Sequence, residues 1–378
     1  MKNWPSRERR ARWATVYGGN RIRVAVTFVA AAMAAAGEST AQQKKDGPAG
    51  PTATRPTAGA AAPARYTEAG LNAGFKRFPV RIIPEGTVPL HVQILLDRAG
   101  FSPGIIDGAW GANAARALSY FAAPEGRGGN TKPASVSAIT EAMYQRLRAA
   151  AGPAPPVKRY RVTAADLRGP FVEIPENVYR QAKLRCLCYS SPVEAIAERF
   201  HISTRLLAQM NPRARLDRLA AGTTLLVPNV DNETEAVPSD TMVVARLVVS
   251  RSGFWTQAQD ESGRVIFHFP STLGGGFDPS PIGNLKVVSV SESPSFRYQP
   301  ALFAEVPDSE PQALLPPGPN SPVGRVWIGL SRKHYGIHGT SSPETIGYAT
   351  SHGCVRLTNW DALQLALLVE HGTPVVFR

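Results

Sequence analysis

The stretch Ser351-His352-Gly353-Cys354-Val355-Arg356-Leu357, preceded by His338-Gly339-Thr340, carries the most chemistry in this chain. It places a cysteine and two histidines close together, and a cysteine nucleophile needs a base such as imidazole to form its thiolate. His338 lies sixteen residues before Cys354, which is too far for one helical face, so the fold must bring the two side chains together. The glycine before the cysteine leaves room for backbone N–H groups to bind a developing oxyanion.

Other interpretations of this cluster stay open on the residues alone. A single cysteine is most often a small buried hydrophobic residue, and a single histidine is most often a surface or core group. Two histidines and a cysteine also suggest metal ligands, but no fourth ligand stands at the usual zinc spacing. We therefore expect neither a metal nor a cofactor.

The segment as a whole resembles the signature of the L,D-transpeptidases (YkuD-type catalytic domain), the cysteine enzymes that cross-link bacterial peptidoglycan. The matching elements are Tyr335 through Thr340, Ile346-Gly347 and Ser351 through Leu357. The resemblance implies that Cys354 is the nucleophile, that His338 is its base, and that the Gly339 carbonyl orients the imidazole. It also implies acyl transfer: Cys354 attacks the third residue of a tetrapeptide stem, terminal D-alanine leaves, and an amine of a neighbouring stem accepts the acyl group.

The remaining candidate site residues belong to the same segment. The backbone N–H groups of Gly353 and Cys354 are the natural oxyanion donors. Residues two apart in an extended segment point to the same side, so His352 and Arg356 would share a face with Cys354. His352 is therefore a rival base, to which the resemblance gives a supporting role. Arg356 could bind a stem carboxylate or form a structural salt bridge. The predicted substrate-binding set is completed by Ser351, Tyr335 and Thr340.

The same residues suit other activities. Hydrolysis of the stem, as in an L,D-carboxypeptidase, or attachment of a protein to peptidoglycan would differ only in the acceptor, which would be water or a protein lysine. Outside enzymes, the alternative is a non-catalytic wall-binding scaffold, and the intact His338, Gly353 and Cys354 speak against it. The predicted partners are peptidoglycan stem peptides and glycan strands.

Composition and the N-terminus indicate an exported protein. The chain has 42 Lys and Arg against 29 Asp and Glu, a net charge of +13 that suits an anionic cell-wall polymer or membrane surface. No basic helix, zinc finger or aromatic ribonucleoprotein pattern supports nucleic acid as a partner. Residues 1–41 have the order of a secretory signal peptide: a basic region, an apolar stretch over residues 24–36, and small residues at the end. We expect a periplasmic or cell-envelope location, with membrane contact only through this segment, either as a cleaved signal or as an uncleaved anchor.

The three cysteines bear on the nucleophile. An odd count in an exported protein leaves at least one thiol without an internal partner. Cys186 and Cys188 could form a local disulfide or could both be buried, and either arrangement leaves Cys354 free. A bond between Cys354 and one of them would exclude the nucleophile.

The chain is predicted to be multidomain. Residues 42–66 form an Ala- and Pro-rich disordered linker. Residues 67–150 predict three helices, with the last over Ser137 to Ala149. This region resembles the three-helix peptidoglycan-binding module through residues that include Gln93, Leu96, Asp107, Gly108, Gly111 and Phe121. Residues 151–185 are predicted to be a second linker.

Two further units follow. Residues 186–230 predict two helices, a stop at Asn211-Pro212 and a strand that ends at Pro228. Through Ile196-Ala197, Phe200, Asn211-Pro212 and Leu225 to Pro228, this region resembles a βααβ LysM module, a resemblance that implies binding of glycans that contain N-acetylglucosamine. Residues 241–378 predict the mainly-β L,D-transpeptidase catalytic domain. Within it, the Pro-rich segment 291–320 is predicted to be a lid over the substrate groove, with an inert surface loop as the alternative. Asn359 is predicted to cap a closing helix with one apolar face formed by Leu363, Ala366 and Leu367.

Overall fold

The protein is described by a computed structural model over residues 65–123, 134–230, 244–275, 279–303 and 306–378. The predicted signal segment of residues 1–41, nearly all of the 42–66 linker and the first three residues of the 241–378 unit lie outside the described residues. Within the described ranges, no helix combines the length and apolar character needed to cross a membrane.

The first unit is helical. Its elements are helices α1 (Glu68–Asn72), α2 (Thr87–Arg98), α3 (Ala112–Ala122) and α4 (Glu141–Ala151), with strands β1 (Val80–Arg81) and β2 (Ala138–Ile139). Helix α4 begins four residues later than the predicted Ser137, because Ala138–Ile139 pairs with β1 and Thr140 caps the helix by accepting from the Met143 N–H.

Three residues of the motif described above, Gln93, Asp107 and Gly108, hold this unit together. The Gln93 side chain, buried in α2, donates to the Asp107 carboxylate and to the Ala109 carbonyl, both at 3.0 Å. It also accepts from the Gly108 N–H at 2.9 Å. These three bonds satisfy a buried amide and fix the loop before α3 onto α2.

The second unit is a strand, two main helices and a strand. Its elements are β3 (Val157–Arg161), α5 (Val178–Gln181), α6 (Pro192–Arg199), α7 (Thr204–Met210), a 3₁₀ turn (Leu216–Arg218) and β4 (Thr224–Pro228). Strands β3 and β4 are antiparallel, with Val157 opposite Pro228. The prediction that residues 151–185 form a linker is therefore wrong, because this range contains β3, which pairs with β4. The second unit begins near Val157 rather than at Cys186. Three basic residues among the five of β3 conceal its strand pattern in the sequence.

The third unit is built on an eight-stranded sheet. The strands of this region are β5 (Arg246–Ser250), β6 (Trp255–Gln259), β7 (Val265–Pro270), β8 (Leu273–Gly274), β9 (Gly283–Glu292), β10 (Phe296–Tyr298), β11 (Ala313–Leu315), β12 (Val326–Leu330), β13 (Gly336–His338), β14 (Thr350–Ser351), β15 (Val355–Arg356) and β16 (Pro374–Phe377). The sheet order is β15-β13-β12-β9-β16-β5-β6-β7, while β8 pairs with β14 and β10 with β11. The prediction of a mainly-β catalytic domain is confirmed.

Helix α8 (Asn359–Leu368) packs against the apolar face of this sheet. Its cap is Thr358, whose side chain accepts from the Asp361 N–H at 3.1 Å, so the cap predicted at Asn359 is wrong by one residue. Its buried apolar positions are Trp360, Ala362, Leu365 and Ala366. Of the predicted apolar face, Ala366 is buried, whereas Leu363 and Leu367 are half-buried.

The three units meet at the start of α8. The Asn359 amide donates to the Glu198 carboxylate of α6 at 3.0 Å. The His201 ring stacks on Trp360 with ring centroids 4.9 Å apart, and its Nδ1 lies 2.9 Å from the Asp97 carboxylate of α2. We call these five residues the three-way junction. Because Asn359 and Trp360 are buried and their contacts reach the second unit, which in turn contacts the first, the two N-terminal units are fixed against the catalytic unit.

A disulfide joins Cys186 and Cys188, and Cys354 is free. The expectation that Cys354 is left out of any internal disulfide is confirmed. Leu187, between the bridged cysteines, donates its N–H to the Pro317 carbonyl at 3.0 Å and accepts from the Asn320 N–H at 2.9 Å. The end of the predicted lid is therefore bound to the second unit.

Candidate active site

Two short parallel strands, β13 and β15, bring His338 and Cys354 together. His338 lies opposite Arg356 across the strand pair. Paired residues in parallel strands point to the same face, so Arg356 and His338 share one face. The Cys354 thiol lies 3.5 Å from the His334 carbonyl oxygen. Cys354 precedes β15 by one residue and lies beside Gly336. Standard strand spacings then place the Cα atoms of His338 and Cys354 about 8 Å apart, which two converging side chains can span.

A backbone carbonyl orients the His338 imidazole. Its Nδ1 lies 2.7 Å from the Gly339 carbonyl oxygen, which is the contact implied by the resemblance. A carbonyl oxygen can only accept, so Nδ1 carries the hydrogen and donates it. In the neutral ring, Nε2 then holds a lone pair. The fold therefore presents His338 in the tautomer that a general base requires.

Burial and one positive charge set the protonation states. Burial of the ring, reinforced by the Arg356 guanidinium, lowers the pKa of His338 to about 3. Burial raises the pKa of the Cys354 thiol above its ordinary value, although a Gly336 backbone hydrogen bond and the charge of Arg356 oppose this shift. The resting site at neutral pH thus holds a neutral thiol beside a neutral imidazole rather than an ion pair.

Two serines hold the backbone around Cys354. The Ser280 hydroxyl donates to the Gly353 carbonyl at 2.8 Å, and the Ser351 hydroxyl donates to the Cys354 carbonyl at 2.5 Å. Both serines are buried. Ser351, predicted to bind substrate, therefore fixes the backbone of Cys354 in this structure. The contact of Ser280 spans 73 residues of sequence, so no local pattern predicts it.

Gly353 allows the bend that carries Cys354. Its φ is +92°, a value that favours glycine, and a Cβ there would lie 3.0 Å from a carbon of the Tyr335 ring. Among the described residues, no carbonyl accepts from the backbone N–H groups of Gly353 or Cys354. The bend therefore leaves both groups able to donate to a substrate oxygen.

The same bend changes the position predicted for His352. Residues 352–354 are not extended: Ser351 ends β14, which pairs with β8, whereas Val355 begins β15 in the large sheet. The premise that His352 and Cys354 point to one side of a single strand is therefore wrong. The His352 ring contacts Phe303 edge-on, with centroids 4.8 Å apart. Phe303 belongs to the predicted lid, which thus reaches the active-site segment.

The other predicted residues surround this centre. The Tyr335 ring covers Gly353 and lies 4.7 Å from the Arg332 guanidinium carbon. Thr340 is buried, and its hydroxyl accepts from the Ser342 N–H at 3.2 Å, which closes a turn. Arg356 has no carboxylate within 4 Å among the described residues, so no structural salt bridge is seen there.

Comparison with known proteins gives this site a family. The sequence model of the YkuD family, described as the L,D-transpeptidase catalytic domain, matches residues 245–377. YkuD of Bacillus licheniformis, named as an L,D-transpeptidase, is 31% identical over 183 residues, which cover 48% of this chain and 91% of that protein. The chain belongs to the L,D-transpeptidase family.

Other relatives agree with this assignment. YkuD of Bacillus subtilis strain 168 is 30% identical over 186 residues, covering 49% of this L,D-transpeptidase and 93% of that protein. YbiS of Escherichia coli K12, also named as an L,D-transpeptidase, is 28% identical over 191 residues, covering 50% of this chain and 60% of that protein.

Within the described ranges, no group of three or more His, Cys, Asp or Glu side chains is arranged to hold a metal ion.

Two positioning residues of this L,D-transpeptidase escaped the sequence analysis. The Trp327 ring stacks on His338, with centroids 5.3 Å apart and planes within 16°. Its position follows from the pairing of β12 with β13, where Trp327 lies opposite His338. Gly336 leaves space for the indole, since a Cβ there would collide with it. Only the strand register could have revealed this contact.

The second is Asn359, which lies behind Gly339. Its side-chain oxygen accepts from the Arg325 N–H at 3.1 Å, and a Cβ on Gly339 would collide with that oxygen. Its amide nitrogen bonds to Glu198 and to the Pro319 carbonyl. Asn359 thus connects the carbonyl that orients His338 with the three-way junction. Its position at the start of a helix was its only sequence signal.

Proposed function

We propose that this L,D-transpeptidase forms cross-links between peptidoglycan stem peptides through an acyl-enzyme on Cys354. The observation that carries this proposal is the pairing of β13 with β15, which brings Cys354 close to His338, with the His338 Nδ1–H bound to the Gly339 carbonyl. A nucleophile, a base and a group that orients the base are the parts that covalent acyl transfer requires.

The acylation step uses the neutral pair. His338 Nε2 takes the thiol proton as Cys354 Sγ attacks the carbonyl carbon of the third stem residue. The negative charge on the carbonyl oxygen is stabilised by the backbone N–H groups of Gly353 and Cys354. The C–N bond to terminal D-alanine then breaks, and the His338 imidazolium returns the proton to the leaving amine. A thioester on Cys354 and a neutral imidazole remain.

Transfer to the acceptor reverses the same steps. An amine of a neighbouring stem attacks the thioester, and His338 accepts the amine proton and gives it to the departing Cys354 sulfur. A new amide bond replaces the thioester. Arg356, whose positive charge lies on the same face as His338, binds a stem carboxylate in this proposal. His352, against Phe303, supports the site from the lid side rather than acting as the base.

The other units fit an enzyme of the cell envelope. We propose export through residues 1–41 and attachment to wall polymer through the two N-terminal units, helped by the net charge of +8 that residues 42–378 carry. Their contacts at the three-way junction would hold the bound polymer at a fixed orientation to the catalytic unit.

Mass spectrometry of muropeptides tests the proposed reaction. Purified disaccharide-tetrapeptides are incubated with the wild-type protein, with Cys354→Ala and with His338→Ala. We expect cross-linked dimers that have lost one D-alanine with the wild type, none with Cys354→Ala, and a rate lower by roughly 10²–10⁴-fold with His338→Ala. Tripeptides alone would assign the protein as a carboxypeptidase, and no product at all would overturn a catalytic function on wall peptides.

A further inference from the structure

Helix α3 of the first unit contacts the chain that leads to Cys354. Asn113, in the first turn of α3, donates its side-chain amide to the Ile346 carbonyl at 2.8 Å. Both residues are buried. Ile346 precedes Cys354 by eight residues and belongs to residues 345–348, which we call the approach segment. A side chain of the first unit therefore satisfies a buried carbonyl of the catalytic unit.

The Asn113 side chain is itself held in one orientation. Its oxygen accepts from the Arg116 guanidinium, one turn later in α3, at 2.6 Å. Arg116 also donates to the Gly253 carbonyl of the catalytic unit. Because a guanidinium can only donate, the oxygen of the amide must face Arg116, and the nitrogen must face Ile346. The contact between the two units is therefore a directed hydrogen bond from Asn113.

The approach segment is bound to Thr272 as well. The buried Thr272 hydroxyl donates to the Thr345 carbonyl and accepts from the Gly347 N–H, both at 3.1 Å. The backbone of Thr272 exchanges two hydrogen bonds with that of Arg356, at 3.0 and 2.9 Å. Arg356 lies two residues after Cys354, so Thr272 joins the approach segment to the strand that follows the nucleophile.

The approach segment fits closely against the first unit. Gly347 has a φ of +79°, and a Cβ there would collide with the Asn113 side-chain oxygen. At the next residue, a Cβ on Gly111 would collide with the Tyr348 hydroxyl. Gly111 is one of the residues by which the first unit resembles a peptidoglycan-binding module. Close contact at two successive residues leaves the segment little room to shift before it continues into β14.

We propose that Asn113 is a positioning residue for the acyl transfer, so that the first unit completes the active site of the catalytic unit. This proposal rests on the proposed function, because it concerns the same nucleophile. Asn113 acts on Cys354 through the approach segment. Loss of its hydrogen bond would let this segment shift and would displace the N–H groups of Gly353 and Cys354. Such a displacement slows the chemical step, because reacting groups must be placed to within about 1 Å.

The test measures acylation of Cys354 in the full chain under single-turnover conditions, with a carbapenem and with disaccharide-tetrapeptide. Intact-protein mass spectrometry gives the maximal rate and the half-saturating concentration of each donor. Asn113→Asp keeps an oxygen for Arg116 but loses the N–H that donates to Ile346, and Asn113→Ala removes both bonds. In both variants, we expect the maximal rate to fall by roughly 10–10²-fold, with the half-saturating concentration unchanged.

Asn72→Ala is the matched control. The Asn72 side chain donates to the Val157 carbonyl at 3.2 Å and accepts from the Val157 N–H at 3.1 Å. It therefore also makes two hydrogen bonds, and these join the first unit to the second rather than to the approach segment. Asn72→Ala should lower Tm about as much as Asn113→Ala and should keep the wild-type maximal rate at temperatures below the transition.

The outcomes separate this proposal from the proposed function. Wild-type maximal rates in both Asn113 variants overturn the positioning role. Equal slowing by Asn72→Ala also overturns it, because any weakened contact between units would then have the same effect. If a carbapenem acylates the wild type and disaccharide-tetrapeptide does not, the proposed function fails, and the carbapenem rates still decide this proposal. If neither donor acylates Cys354, both proposals fail.

Discussion

Replacing Gly353 by alanine tests how the nucleophile is presented. At a φ of +92°, an L residue costs about 1–2 kcal/mol, and the new Cβ would lie 3.0 Å from the Tyr335 ring. Gly372→Ala is the matched control, because its φ is +93° and nothing lies within 4 Å of a Cβ there. Both variants should therefore lose similar stability, seen as a fall in Tm of about 2–8 °C.

The two variants should differ in chemistry. Gly353→Ala shifts the N–H groups proposed to bind the oxyanion, so its rate of acylation should fall by roughly 10²-fold, as for the loss of one such donor. Gly372→Ala should acylate at the wild-type rate. Acylation is measured by intact-protein mass spectrometry and stability by thermal denaturation. Wild-type acylation by Gly353→Ala, or equal slowing of both variants, would refute the assigned role of this bend.

Two further predictions concern protonation. The rate at which iodoacetamide alkylates Cys354 should rise steadily from pH 7 to 9. The raised pKa of the thiol and the His338 pKa of about 3 leave no thiolate–imidazolium pair at rest. An alkylation rate that stays constant between pH 4 and 8 would contradict this prediction. Burial, together with the negative charge of Asp97, raises the pKa of Asp361 to about 7. The native state therefore binds more protons than the unfolded state between about pH 4 and 7, and the free energy of unfolding falls as pH rises through this interval. Asp361→Asn should lose less Tm than the wild type between pH 5 and 8, and parallel Tm curves would show that this carboxyl does not contribute.

The sequence predicted those features that depend on local pattern. The sequence predicted His338 and Cys354 as partners because each lies next to a glycine in a short motif, Gly339 and Gly353 respectively. The pairing of β13 with β15 then brings the two residues close together. Apolar spacing predicted three helices over residues 67–150, whereas the structure has four there, and residues of α2, α3 and α4 form one core cluster. The β3 strand was missed, because alternating burial is hidden when basic side chains extend from a strand to the surface.

Features that depend on distant contacts could not be predicted. The expected alignment of His352 with Cys354 failed because one positive φ at Gly353 redirects the chain. The contacts of Trp327 and Asn359 arise from strand register and from the packing of the second unit on α8. Such partners are separated by many residues, and sequence periodicity carries no information about them.

Peptide mapping of the acyl-enzyme tests the central claim most directly. The protein is incubated with a carbapenem, and the added mass is located in the wild type, in Cys354→Ala and in the double variant Cys186→Ala/Cys188→Ala. We predict one adduct on Cys354 in the wild type and in the double variant, because the other two cysteines are joined to each other. We predict no adduct in Cys354→Ala. An adduct that persists in Cys354→Ala would contradict the assignment of Cys354 as the nucleophile.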